Sequence, residues 1–190
     1  MLGKRFALTA AAASLTAGSL VAAPAAQAAS DGCYTDTGIS AQKQALLSVG
    51  GNSLDLAVAM LETSDLKADY TYGDGKTGDS ANFGIFKQNW YMIRTSVSQY
   101  SSYGASQYNA GAALNSNLSW DVQVLHASQN KYGIYNWFGG QRDGQTGLSN
   151  PSTTDIDNYR NAVYWIQSQI NANPSYLTDD TRCWVSVPAI

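Results

Sequence analysis

Apolar and polar positions follow a helical period over 41–49, 53–63, 90–97, 110–118, 121–131 and 155–173. In 53–63, Leu54, Val58 and Leu61 recur at helical spacing, Asn52 or Ser53 can cap the start, and Gly50-Gly51 separates the run from the helix before it. The stretch 155–173 carries the clearest pattern. Thr154 can cap it, Ile156, Val163, Ile166 and Ile170 form its stripe, and Pro174 stops it. Trp165 on the same helix reads as a core residue. Between 70 and 89 the pattern changes. Tyr70, Thr71 and Tyr72 favour strand, Gly73-Asp74-Gly75 and Gly78-Asp79 are turn signals, and Phe83, Ile85 and Phe86 are apolar again. A short, irregular β-hairpin is predicted there. Asn136-Trp137-Phe138-Gly139-Gly140 predicts a Gly-rich loop. The chain shows neither repeat nor linker, so the expected fold is α+β, mostly α, with a small β element early in a single domain.

Composition adds a compartment. Lys4 and Arg5, the apolar and small-residue stretch 6–21, and Ala26-Gln27-Ala28 together have the form of a secretory leader over 1–28. Removing 28 of the 190 residues leaves 162, enough for one domain with its own core, expected to work outside the cell as a soluble monomer with no membrane partner. That segment, 29–190, carries 9 basic and 14 acidic side chains, a formal charge of −5, which argues against nucleic acid as a partner. Cys33 and Cys183 are the only cysteines, and in an oxidising compartment they are expected to form one structural disulfide. With one histidine, His126, and no cysteine pair at ligand spacing, no metal site and no other cofactor is expected. His126 itself reads as a packed or hydrogen-bonded helix residue.

Glu62 is the only glutamate in the chain, and it ends the apolar run Ala57-Val58-Ala59-Met60-Leu61. Desolvation there would raise its pKa, which is what a general acid near neutral pH requires. Twelve residues on lies Asp74, on a Gly-rich turn whose N–H donors and solvent would keep a carboxylate charged. One protonated and one ionised carboxyl group are the pair that glycoside hydrolysis uses. Asp79 is the rival for the second role, and Asp65 and Asp69 read as solvated. Gly75-Lys76-Thr77 has the end of a P-loop, but Tyr70 stands where its first glycine must be. No Gly-x-Ser-x-Gly is present, which argues against a serine hydrolase. The aromatic content of 29–190, with 5 Trp, 12 Tyr and 3 Phe, suits sugar stacking. Lys76, Asn82, Phe83, Gln88 and Trp90, which flank the pair, and Asn136 and Trp137 in the Gly-rich loop are the expected substrate-binding residues, and Lys76 is expected to help keep Asp74 ionised.

The order of helix, glutamate and β-hairpin is similar to that of the lysozyme superfamily. More narrowly, Leu56-Ala57-Val58-Ala59-Met60-Leu61-Glu62-Thr63, Gly73-Asp74-Gly75-Lys76-Thr77-Gly78-Asp79 and Asn82-Phe83-Gly84-Ile85-Phe86-Lys87-Gln88-Asn89-Trp90 resemble glycoside hydrolase family 134. That resemblance implies a lysozyme-like catalytic domain over 29–190 and inverting, endo-acting hydrolysis of β-1,4-mannan, with Glu62 as general acid and Asp74 as general base. The competing functions are a chitosanase or peptidoglycan hydrolase on the same fold, and a secreted sugar-binding protein without catalysis. The acidic balance disfavours anionic cell-wall polymer and leaves cationic chitosan open, whereas neutral mannan makes no demand on charge.

Overall fold

The computed structural model describes residues 31–188; the segment 1–28 assigned to a leader lies outside them. In chain order the elements are β1 (Gly32–Thr35), α1 (Ile39–Ser48), α2 (Ser53–Glu62), β2 (Asn82–Phe83), β3 (Gln88–Asn89), α3 (Trp90–Ser96), α4 (Ala113–Ser116), α5 (Leu118–Tyr132), α6 (Ile134–Ser149), α7 (Thr154–Ala172) and β4 (Thr181–Trp184). The fold is α+β and mostly α. Among the described residues no helix is long and apolar enough to cross a membrane.

Two helices form the centre. Residues 56–60 of α2 are fully enclosed, and α2 lies against the stripe of α7 that contains Ile156, Val163, Ile166 and Ile170. The start of α2 is fixed by a reciprocal cap: Asn52 Oδ1 accepts from the N–H groups of Leu54 and Asp55, and Asp55 Oδ2 accepts from Asn52 N–H. The cap on α7 is Thr153, one residue earlier than expected, and it accepts from Ile156 N–H at 3.3 Å. A second, smaller core gathers Phe83, Trp90, Ile93, Tyr100, Leu114 and Val124 around α3, α5 and the hairpin β2–β3.

The stretch 136–140 is helix, not loop. It lies in the first half of α6, which breaks at Asp143 and Gly144 and folds its second half back on the first. A Cβ on Gly139 would lie 2.3 Å from Gly147 O, and one on Gly147 would lie 1.9 Å from Gly139 O. The glycines there serve close packing between two helical segments. The stretch 70–72 forms no strand: Tyr72–Gly75 is a 3-10 turn, and the hairpin begins at Asn82.

The two ends of the described chain are fastened together. β1 and β4 pair antiparallel with Cys33 opposite Cys183, and the two form a disulfide that spans 150 positions. Asp180 caps α1 from the far end of the sequence, accepting from Gly38 N–H and Ser40 N–H. Lys43 is enclosed and donates to the carbonyls of Tyr176 and Thr181; burial lowers its pKa to about 8. On the chain-entropy model, closing a loop of that length contributes ~4–5 kcal/mol. Cys33→Ser with Cys183→Ser is expected to lower the thermal midpoint while the far-ultraviolet spectrum at room temperature is unchanged, because Lys43 and Asp180 still hold the ends. An unchanged midpoint would show that the bridge carries no stability.

Candidate active site

Glu62 is the last residue of α2, where the carbonyls at the helix end disfavour a negative charge. Arg182 on β4 answers those carbonyls: its Nη2 donates to Met60 O at 2.7 Å and to Thr63 O at 3.2 Å. Part of the Glu62 side chain reaches the surface, while protein crowds the carboxyl on its other sides. Burial raises its pKa. The Tyr159 hydroxyl, which donates to Glu62 Oε1 at 2.6 Å, opposes that rise, as do the charges of Lys87 and Arg142 and the amide of Gln141, and the net direction is upward.

Asp74 stands on a turn in which Gly73, Asp74 and Gly75 all have positive φ. Aspartate is among the few side chains that adopt this conformation readily. Both of its oxygens are engaged. Lys87 Nζ donates to Oδ1 at 3.0 Å and Asn82 Nδ2 donates to Oδ2 at 3.3 Å. Lys87 sits in the β2–β3 turn, its ammonium 4.8 Å from the centroid of the Tyr70 ring, and its charge acts on Glu62 as well as on Asp74. The cation beside Asp74 is therefore Lys87, not Lys76. Asp79 is taken by the fork of Arg94, at 2.7 and 2.8 Å. Asp65 pairs with Lys67 at the surface.

The turn that presents Lys87 is built around an enclosed carboxylate. Asp121, in the first turn of α5, accepts from Ile85 N–H and from Gln88 Nε2, each at 2.7 Å. A Cβ on Gly84 would fall 2.0 Å from Asp121 Oδ1, so only glycine fits beside it. Burial drives the Asp121 carboxyl up to about 8 against those two hydrogen bonds. The remaining groups of the turn are met from other elements: Gly84 N–H by Asn115 Oδ1, Gly84 O by the Tyr70 hydroxyl, and Phe86 O by Gln141 Nε2.

Beside this assembly opens a cleft of about 470 Å³, lined by Lys76, Asn82, Asn89, Tyr91, Gln141 and Arg142 among others. Asn82 links it to Asp74, and Gln141 and Arg142 link it to Glu62. The model of glycosyl hydrolase family 134 matches residues 40–187, which contain every residue of this site. The chain belongs to that family. It is a glycoside hydrolase. No curated protein matches it.

The hydrolase departs from the expected subsites in several places. Trp90 and Trp137 are fully enclosed and have no ring face left for a sugar. Trp90, the first residue of α3, faces the smaller core and donates to Gly104 O; Trp137 falls on the buried face of α6 and donates to Ser128 Oγ. Phe83 is enclosed edge-on to Tyr72, and Gln88 is enclosed against Asp121. Asn136 is exposed and returns its amide to Tyr132 O at the end of α5. Lys76 and Asn82 do line the cleft. Tyr159, Lys87, Arg142 and Asp121 were not singled out, because each acts on a partner far away in sequence. Gly84 beside the hairpin was the one local sign that a buried group presses on that turn.

Two outcomes are expected. Because the chain holds one glutamate, selective ¹³C labelling of the side-chain carboxyl gives one glutamate resonance, and its titration midpoint should lie above the ordinary glutamate range. Tyr159→Phe and Lys87→Met each remove a group that favours the charged form, so each should move the midpoint higher still. A midpoint that falls in either variant would mean that the assigned contacts do not govern Glu62. Separately, Asp121→Ala leaves Ile85 N–H enclosed without an acceptor and Gln88 Nε2 with only the backbone carbonyl of residue 121, and should cost roughly 2–5 kcal/mol in chemical denaturation.

Proposed function

We propose that this hydrolase is a secreted, endo-acting β-1,4-mannanase that works by inversion. The reading rests on one observation above the others: two carboxyl groups in contrasting surroundings are each joined to the lining of one cleft, Asp74 through Asn82 and Glu62 through Gln141 and Arg142. Glu62 is crowded by protein and held towards its protonated form, whereas Asp74 accepts hydrogen bonds on both oxygens from an ammonium and an amide. Glu62 gives its proton to the glycosidic oxygen as the bond to the anomeric carbon breaks. Asp74 takes a proton from a water whose oxygen bonds to that carbon from the opposite face. Asp74 then releases its proton to solvent and Glu62 takes one up from solvent, which resets both groups. Asn82 and Lys87 orient Asp74. Asp79, with both oxygens on Arg94, is left to anchor the turn.

Neutral mannan fits a cleft whose lining holds two charged side chains of each sign, Lys76 and Arg142 with Asp79 and Asp143. Export agrees with the leader-like segment and with a disulfide that needs an oxidising compartment. The resemblance to the lysozyme superfamily agrees with the sequence of α2, Glu62 and hairpin, and a single catalytic domain acting as a monomer is part of the same reading.

A panel of mannan, chitosan, chitin and peptidoglycan tests the substrate, and fastest cleavage of any polymer other than mannan would overturn the assignment. On the polymer that is cleaved, Glu62→Gln should lose ~10²–10⁴ in turnover with the fold intact. Asp74→Asn should abolish turnover while Asp79→Asn, which loses an anchor, should chiefly reduce stability; the reverse pattern hands the base to Asp79. Alkaline loss of activity should track the raised Glu62 titration, since the acid fails as pH rises through its pKa. Proton NMR of the new reducing ends decides the stereochemistry: α-anomer appearing first supports inversion, and β-anomer first refutes it.

A further inference from the structure

Trp165 reads from the sequence as a core residue, yet 37 % of it is exposed. It lines a second groove, of about 710 Å³, between α7 and the end of the β1–β4 ribbon. Asn158, Asn161 and Trp165 stand at i, i+3 and i+7 on α7, a single stripe beside the buried one, and Asp31, Val185 and Ser186 form the facing wall. The groove shares no lining residue with the catalytic cleft.

Three features of this groove distinguish it from an ordinary surface. Every other exposed aromatic ring among the described residues has an intramolecular ring or cation partner. Tyr72 meets Phe83, Tyr103 meets Trp90 and Tyr100, Tyr135 lies under Arg160 and Tyr164 meets Phe138, whereas Trp165 has no such partner. The side-chain amides of Asn158 and Asn161 and the indole N–H of Trp165 make no hydrogen bond within the described residues, so their donors and acceptors face solvent. The only charged side chain in the wall, Asp31, is already engaged by Ser186 N–H at 2.7 Å. An apolar ring flanked by unengaged amides, with a single carboxylate and no cationic side chain in the lining, has the chemistry of a site for an uncharged pyranose chain. The C–H face of the sugar covers the indole, and its hydroxyls exchange hydrogen bonds with the amides.

We infer that the Trp165 groove is a second, non-catalytic binding site for an uncharged polysaccharide, holding a distal stretch of the polymer that the cleft cuts. This rests on the reading of the protein as a polysaccharide hydrolase, though not on which polysaccharide. A tether of this kind raises the effective concentration of polymer at the cleft and does nothing for a substrate too short to reach both sites.

The test compares Trp165→Ala and Asn161→Ala with the wild type on insoluble polymer and on a short soluble oligosaccharide of the same sugar. It also follows their retardation in native gels containing soluble mannan, glucan, xylan or chitosan. Both variants should match the wild type within about twofold on the oligosaccharide, lose about fivefold or more on the insoluble polymer, and be retarded less in the gel. Equal rates on both substrates with unchanged retardation would overturn the inference. A proportionate loss on both would also overturn it, by making Trp165 a structural or cleft residue, and thermal midpoints of the two variants separate those cases. Self-association of the wild type that Trp165→Ala abolishes, measured by light scattering, would assign the groove to a second copy of the chain instead. If the wild type prefers a polymer other than mannan, the mannan reading fails on that result alone, and the comparison proceeds on the preferred polymer.

Discussion

The enclosed carboxyl group of Asp121 is the constraint on which the cleft depends. A polar group taken out of water costs free energy unless its oxygens are met, and here they are met by Ile85 N–H and the Gln88 amide, both from the β2–β3 hairpin. The turn cannot move away without leaving that group unsatisfied, and it cannot move closer because Gly84 already touches the carboxylate. Lys87 is carried on this turn and Asp74 is bonded to Lys87. The same helix that supplies Asp121 supplies His126, whose Nε2 lies 2.8 Å from Asp55 Oδ2 in the cap of α2. α5 therefore grips both the start of the helix that ends in Glu62 and the turn that orients Asp74. It fixes one carboxyl group relative to the other without touching either.

Glu62 itself is held by opposing forces. The end of α2 and the surrounding protein favour the neutral form, while Tyr159, Lys87, Arg142 and Gln141 favour the charged one. A general acid has to lose its proton during the reaction and regain it afterwards, so neither form can be too costly. Burial opposes the charged form, and the four polar neighbours offset part of that opposition. Arg142 is in turn fixed by a fork to Asp155 on α7, so the electrostatics of Glu62 depend on the packing of α6 against α7.

Local chemistry made much of the fold legible. The stripes of α2 and α7, the Asn52 cap, the Pro174 stop and the cysteine pair each have causes that lie within a few residues or in composition. What was not legible depends on partners distant in sequence. Glycines at 139, 140 and 147 have the composition of a loop, and only the close approach of Gly139 to Gly147, or of Gly140 to Met92, explains why a helix needs them. Trp90 and Trp137 were expected at the cleft because they stand near polar loop-like residues, but their rings support the two cores. Lys76 is nearer to Asp74 in sequence than Lys87 is, yet the hairpin folds back and brings the more distant lysine to the carboxylate. The surroundings of Glu62 and Asp74 were legible because each is set locally, by an apolar helix end for one and a Gly-rich turn for the other.

The two carboxyl groups also differ in how they are fastened. Glu62 is continuous with a helix whose preceding residues 56–60 are enclosed and whose terminal carbonyls are bound by Arg182. Its backbone cannot shift without disturbing the main core. Asp74 rests on a turn of left-handed residues, and its side chain is positioned by two donors at 3.0 and 3.3 Å from the hairpin. A proton donor gains from rigidity, because transfer to the glycosidic oxygen demands a fixed direction. A group that activates water has to accept a hydrogen bond from a molecule that arrives anew in each cycle. One donor on each oxygen of Asp74 keeps its direction, and a carboxylate oxygen that accepts one hydrogen bond can accept another, as the proposed role requires. The rigid helix end and the side-chain-held turn thus match the separate demands that the proposed roles of acid and base make.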